Sequence, residues 1–189
     1  MPAERTAAAA TPGLPMVDPA LTERLRQEVE RAVQRTYKSL ELMAAPPPEV
    51  GGSPKRVLHR RGTLELVHYQ PVASEVYRVP LLFVMAPTNK AYILDLAPGQ
   101  SLVGFLLERG YDVYLIDWNA PGHDERHLKI DDYVLDFIPD CIRRVQADSG
   151  EDELTLVGYC AGGMLSVIYQ ALHPMGPVKN LVCFTTPVA

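Results

Sequence analysis

From residue 62 onward, short unbroken apolar runs alternate with segments whose apolar residues recur every three or four positions. The runs are Leu81–Met85, Val113–Ile116, Leu154–Val157 and Leu181–Phe184. Such runs fit strands covered on both faces, as in a parallel sheet. Between them, Gln100–Arg109 closes at Gly110, Ile130–Ala147 closes near Gly150, and Ala161–His173 closes at Pro174. Each predicts a helix. Pro139 is predicted to kink or split the second of these. Thr63–Tyr69 alternates apolar and polar residues, as an edge or antiparallel strand does. Strands alternating with helices predict an α/β fold, with a mostly parallel sheet, right-handed crossovers and helices on both faces.

The front of the chain has a different pattern. Leu21, Leu25, Val29, Val33, Tyr37 and Leu40 share one face of a helix that Asp18-Pro19 is suited to start. Residues 18–44 are therefore expected to form an N-terminal amphipathic helix. It would lie on a domain surface or serve a partner or oligomer contact. Residues 1–17, rich in Ala, Pro and Thr, are expected to be disordered. Pro46-Pro47-Pro48 and Gly51-Gly52-Ser53-Pro54 predict a linker over 45–62, leaving 63–189 as the α/β domain.

Composition narrows the function classes. The 189 residues carry a net charge of −5, which offers nothing to a nucleic-acid backbone. The longest apolar stretch, Leu81–Pro87, is far too short to span a bilayer. Cys141, Cys160 and Cys183 are too widely spaced for a disulfide framework or a zinc site, so no metal is expected. Free thiols point to a reducing, cytoplasmic compartment.

The chemistry concentrates at Gly158-Tyr159-Cys160-Ala161-Gly162-Gly163, which follows an apolar strand and opens a helix. That is the setting of a nucleophile elbow, with Cys where hydrolases carry Ser. It makes the fold an α/β-hydrolase type and Cys160 the candidate catalytic residue. A helix N-terminus favours a thiolate at that place. The backbone N–H of Ala161 is a candidate oxyanion donor, and the loop after Leu81–Met85 offers a second from Thr88 or Asn89. Cys141 and Cys183 are expected to be packing residues.

A triad on this fold needs an acid and a base after the nucleophile. Residues 161–189 contain no Asp or Glu, and their one His, His173, lies at the far end of the nucleophile's helix, roughly 18 Å away. His123 and His127 are in the loop after Val113–Asp117 and precede the thiol; neither is expected to act as its base. His59 and His68 are expected to be structural. Asp117-Trp118 ends a strand on the active-site side and is expected to position a loop.

Several stretches in order resemble polyhydroxyalkanoate synthases, most closely the class III type, from about Arg61 to Val188. They are Asn89-Lys90-Ala91-Tyr92-Ile93-Leu94-Asp95-Leu96, Val113-Tyr114-Leu115-Ile116-Asp117-Trp118, Asp131-Asp132-Tyr133, the Cys160 hexapeptide, and Asn180-Leu181-Val182-Cys183-Phe184-Thr185-Thr186-Pro187-Val188. The resemblance implies an acyltransferase that moves 3-hydroxyacyl groups from coenzyme A to a growing polyester through a cysteine thioester. The CoA thioester would be a substrate, with no bound cofactor. Cys160 matches the family nucleophile, whereas the family's catalytic Asp and His have no counterpart here. The expectation is the front part of a longer protein, its sheet truncated after the strand that follows the nucleophile helix. A second synthase subunit or self-association, and a place at the polymer granule, are further implications. A thioesterase or depolymerase-like hydrolase, or an inactive remnant acting as a binding subunit, are the rival readings.

Overall fold

The computed structural model describes residues 19–46 and 49–187, in two compact units divided after Pro48. The 1–17 segment lies outside the described residues.

Among the described residues, the first unit holds one helix, α1, Pro19–Ala44. Its face of Leu21, Leu25, Val29, Val33, Tyr37 and Leu40 is exposed, each residue by half or more. The polar side is laced by local contacts such as Arg26 with Glu23 at 3.4 Å. Among the described residues no helix is long and apolar enough to cross a membrane.

The second unit is built on a six-stranded sheet of order β1-β2-β6-β3-β7-β8. Its strands are β1 (Lys55–Arg61), β2 (Leu64–Tyr69), β3 (Leu81–Val84), β6 (Val113–Asp117), β7 (Leu154–Tyr159) and β8 (Val178–Phe184). A small hairpin of β4 (Asp95–Ala97) and β5 (Gln100–Ser101) stands apart. The helices are α2 (Leu102–Glu108), α3 (Ile138–Ser149) and α4 (Ala161–Leu172). β6, β3, β7 and β8 run parallel, while β2 pairs antiparallel with both β1 and β6. Every residue of β3 is buried, as are Val113–Ile116 of β6 and Leu154–Gly158 of β7. Since successive side chains point to opposite faces, both faces of these strands are covered.

One expectation changes and one holds. The 45–62 segment is not all linker, because Lys55–Arg61 forms β1. Five of its seven residues are Lys, Arg or His, so no hydrophobic alternation marks it. Its backbone pairing to β2 and its ion pairs make it a strand. The second sheet-covering helix changes form ahead of Pro139. A π-helical turn over Asp132–Phe137 precedes α3, and Pro139 falls in the first turn of α3, so the helix is split at the proline as expected.

The start of the body is fastened by Asp95, which is 3% exposed. It accepts the Ser53 N–H at 2.9 Å, the Ser53 hydroxyl at 2.8 Å and the Ser101 hydroxyl at 2.6 Å. Burial works against this carboxylate, but those hydrogen bonds and nearby Lys55 bring it below the ordinary range.

Candidate active site

β7 runs into Cys160, and α4 begins at the next residue. Cys160 holds φ 53° and ψ −124°, a conformation that costs a non-glycine residue energy and persists only where the surroundings impose it. Here they do. The Cys160 N–H donates to Phe184 O at 2.9 Å, and its carbonyl accepts from Gly163 N at 2.9 Å. The residue is half-buried.

The small residues around the turn have a steric cause. A Cβ on Gly158 would strike the backbone of Gly163, so strand and helix can pass this closely only without one. A Cβ on Gly162 would strike the Val84 and Met85 carbonyls at the end of β3. The first turn of α4 therefore sits directly on the two neighbouring strand ends. Ser166 closes that turn with a buried hydroxyl bond to Gly162 O at 2.8 Å.

Ala161 is the first residue of α4, so its N–H is among those with no acceptor inside the helix. Thr88 and Asn89 follow β3 in a tight turn. The Asn89 N–H is spent on Ala86 O at 3.0 Å, which removes it as an oxyanion donor. The sequence could not show this, because the turn's own hydrogen bond depends on its conformation. Thr88 is then the loop's remaining candidate.

Trp118 leaves β6 on the same side. Its indole N–H donates to Met85 O at 2.7 Å, and both residues are buried. Tyr133 meets its ring edge-on at 4.9 Å and Phe137 lies at 6.3 Å. The contact with Met85 was not legible in the sequence. The one available signal was a tryptophan at a strand end, since a buried indole N–H needs an acceptor.

Four of the five histidines are engaged away from Cys160. His173 sits at the end of α4, its Nδ1 3.0 Å from Tyr169 O and its ring stacked on Tyr169. His123 Nε2 contacts Arg126 at 3.1 Å. His68 Nε2 lies 2.7 Å from Asp112, and His59 Nε2 lies 3.2 Å from Asp140. In the His123–His127 loop, Glu125 accepts the Thr63 N–H at 2.9 Å, the Thr63 hydroxyl at 2.8 Å and the Gly122 N–H at 3.0 Å. The two backbone donors, then the Thr63 hydroxyl, hold its carboxyl below the ordinary range. That loop is clasped to the start of β2 by a committed carboxylate.

The other thiols differ from Cys160 and from each other. Cys141 on α3 is 1% exposed, and burial pushes its pKa up to about 12. Cys183 is exposed on β8, opposite Gly158 in register.

A mostly parallel sheet with this turn after its strand β7 defines an α/β-hydrolase-fold protein. Residues 98–189 match the alpha/beta hydrolase fold family. Among solved structures, a probable hydrolytic enzyme from Pseudomonas aeruginosa superposes with TM-score 0.50 at 17% identity, covering 71% of this chain and 42% of that one. A predicted CIB-like hydrolase from Thermoplasma acidophilum does so with TM-score 0.50 at 13% identity, covering 71% and 63%. At those identities the likeness is one of fold.

Sequence narrows it further. Residues 46–106 match the poly-beta-hydroxybutyrate polymerase (PhaC) N-terminus family. The poly(3-hydroxyalkanoate) polymerase subunit PhaC of Haloferax mediterranei is 47% identical over 132 residues, covering 70% of this chain and 27% of the relative. The protein of the same name from Allochromatium vinosum is 37% identical over 169 residues, covering 88% and 47%. The chain belongs to the polyhydroxyalkanoate polymerase family. The chain spans less than half the length of these two relatives.

Proposed function

We propose that this chain carries the nucleophile half of a polyhydroxyalkanoate synthase. The observation that carries the reading is Cys160 held at φ 53° and ψ −124° between β7 and α4. In that reading the Cys160 thiolate attacks the thioester carbonyl of a 3-hydroxyacyl-CoA. The tetrahedral oxyanion is held by the N–H groups of Ala161 and Thr88. The carbon–sulfur bond to coenzyme A breaks, CoA leaves as its thiol, and the acyl group remains on Cys160. A hydroxyl at the end of the growing polyester then attacks this new thioester, forms an ester and returns the thiol.

Among the described residues no histidine hydrogen-bonds to Cys160. The base that takes the thiol proton, and the acid that orients it, belong in this proposal to sequence beyond Ala189, in a protein of the relatives' length. Action with a second synthase subunit, in the cytoplasm at the polymer surface, goes with the same proposal.

The test uses the intact protein and 3-hydroxybutyryl-CoA. CoA release with polymer formation is expected, with an acyl adduct mapped to Cys160 by mass spectrometry. Cys160→Ala should lower the rate by more than about a thousandfold. Free hydroxy acid in place of polymer would assign a hydrolase on the same scaffold, and full activity in Cys160→Ala would remove the nucleophile.

A further inference from the structure

We infer that Trp118 is a positioning residue that sets the Thr88 oxyanion loop against the first turn of α4; this rests on the reading of Cys160 as nucleophile. Trp118 is 4% exposed, and its N–H can only donate. The acceptor it meets is the carbonyl of Met85, the first residue after β3, across 33 positions of sequence. The 2.7 Å separation is at the short end for an N–H···O bond.

That carbonyl lies between two parts of the proposed site. On one side is the indole. On the other is Gly162, where a Cβ would stand 2.5 Å from Met85 O. Gly162 is two residues past Cys160 on the same helical turn. From Met85 the chain continues through Ala86-Pro87 to Thr88, and the Asn89 N–H folds back onto Ala86 O at 3.0 Å. The loop is therefore a closed turn hung from Met85, stiffened by a proline whose φ is restricted. Holding Met85 O sets the height of the whole turn, and with it the Thr88 N–H, relative to Cys160.

The indole is itself held from behind. Tyr133 and Phe137, both on the π-helical turn, contact each other at 5.6 Å and lie against the Trp118 ring. The path runs from that turn to Trp118, to Met85 O, to the oxyanion loop. An ordinary core tryptophan would fill space. This one also joins the ends of two parallel strands at the level where the nucleophile turn begins.

The distinguishing measurement compares two reactions of the same thiol in the intact protein. Acylation by 3-hydroxybutyryl-CoA passes through an oxyanion, whereas alkylation by iodoacetamide does not. Trp118→Phe keeps a ring against Tyr133 and Phe137 and removes the donor. Single-turnover acylation of Cys160 should fall roughly ten- to hundredfold, because the donor is displaced rather than deleted. Alkylation should stay within about twofold. Benzothienylalanine at 118, with sulfur in place of N–H, should give the same split if Trp118→Phe fails to fold. Hydrogen exchange at the Asn89 amide should quicken by about tenfold without global unfolding. Unchanged acylation, parallel loss of both reactions, or unchanged Asn89 exchange would overturn the inference. Absence of acylation in the wild type would instead overturn the nucleophile reading on which it rests.

Discussion

β1 and β8 both end the main sheet, and they end it in opposite ways. β1 is a row of charge. Arg56 meets Asp148 at 2.6 Å, His59 faces Asp140 at 3.2 Å, Arg60 meets Glu65 at 2.7 Å, and Arg61 pairs with Asp136. Charged side chains make a strand edge a poor template for further pairing. β8 instead presents Leu181, Val182, Cys183 and Phe184, with Val182 40% and Phe184 46% exposed. Beside it, Met164, Val167, Ile168 and Leu172 of α4 are also exposed. Parallel strands of this composition normally have both faces covered. β1 therefore has the chemistry of a true edge, whereas β8 has interior chemistry in an edge position. The turn at Cys160 rests on the second of these, since Cys160 N–H is held by Phe184 O.

The largest contrast should be seen in the thiols on the two sides. Cys141 packs on the β1 side of the body, on the helix whose carboxylates hold that edge, with a pKa pushed by burial from 9.0 to about 12. That is roughly a thousandfold less thiolate than an ordinary cysteine holds at a given pH. Cys183 on β8 is exposed. Mass-spectrometric mapping after brief alkylation of the folded chain should find Cys183 labelled and Cys141 untouched. Equal labelling of the two would erase the contrast.

Next comes association. The 189-residue chain alone should self-associate through β8, and Phe184→Lys should weaken this about ten- to hundredfold, by replacing the burial of one large apolar side chain with that of a charge. Arg60→Glu on β1 should leave it unchanged. Sedimentation velocity across a concentration series reads both, and a monomeric wild type would break the comparison.

The smallest effect should come from acid. Asp136 is held below the ordinary Asp value of 3.8 by its hydrogen bonds and charge pairing with Arg61. Burial opposes Asp148 and Asp140, but Arg56 with Tyr114 and Arg144, respectively, bring each below that value as well. A carboxylate with a depressed folded pKa contributes stability above its unfolded value and loses it as pH falls through the folded one. Protection of β1 amides should therefore drop below about pH 4, by roughly three- to tenfold for such partly exposed pairs, while β7 keeps its own. Hydrogen exchange corrected for its intrinsic pH dependence checks this. Uniform loss across the sheet would mean that the carboxylates hold the whole body and not the edge.

The parallel strands were legible because β3, β6 and β7 are unbroken apolar runs, and the sharp turn at Cys160 because Gly158 and Gly162 stand where any Cβ would strike backbone. β1 was not legible, since its composition carries no hydrophobic alternation and it is held by pairing with β2 and by carboxylates on α3 and the turn before it, which are remote in sequence. The loop proposed to hold the oxyanion was half legible. Its position after β3 follows from the order of elements, but the choice between Thr88 and Asn89 turned on one hydrogen bond to Ala86.

The sequence by itself determined the parallel strands β3, β6 and β7, the helices between them, and the place of Cys160 at a strand–helix turn. Those properties follow from side-chain periodicity and local sterics, which act within a few residues. Tertiary structure alone decided which carbonyl the Trp118 indole meets, which arginine pairs with which carboxylate, and which face of β8 stays open. Those contacts join residues tens of positions apart, such as Trp118 with Met85 and Arg56 with Asp148. Each donor could be satisfied by many acceptors, and only the packed chain brings one of them within reach.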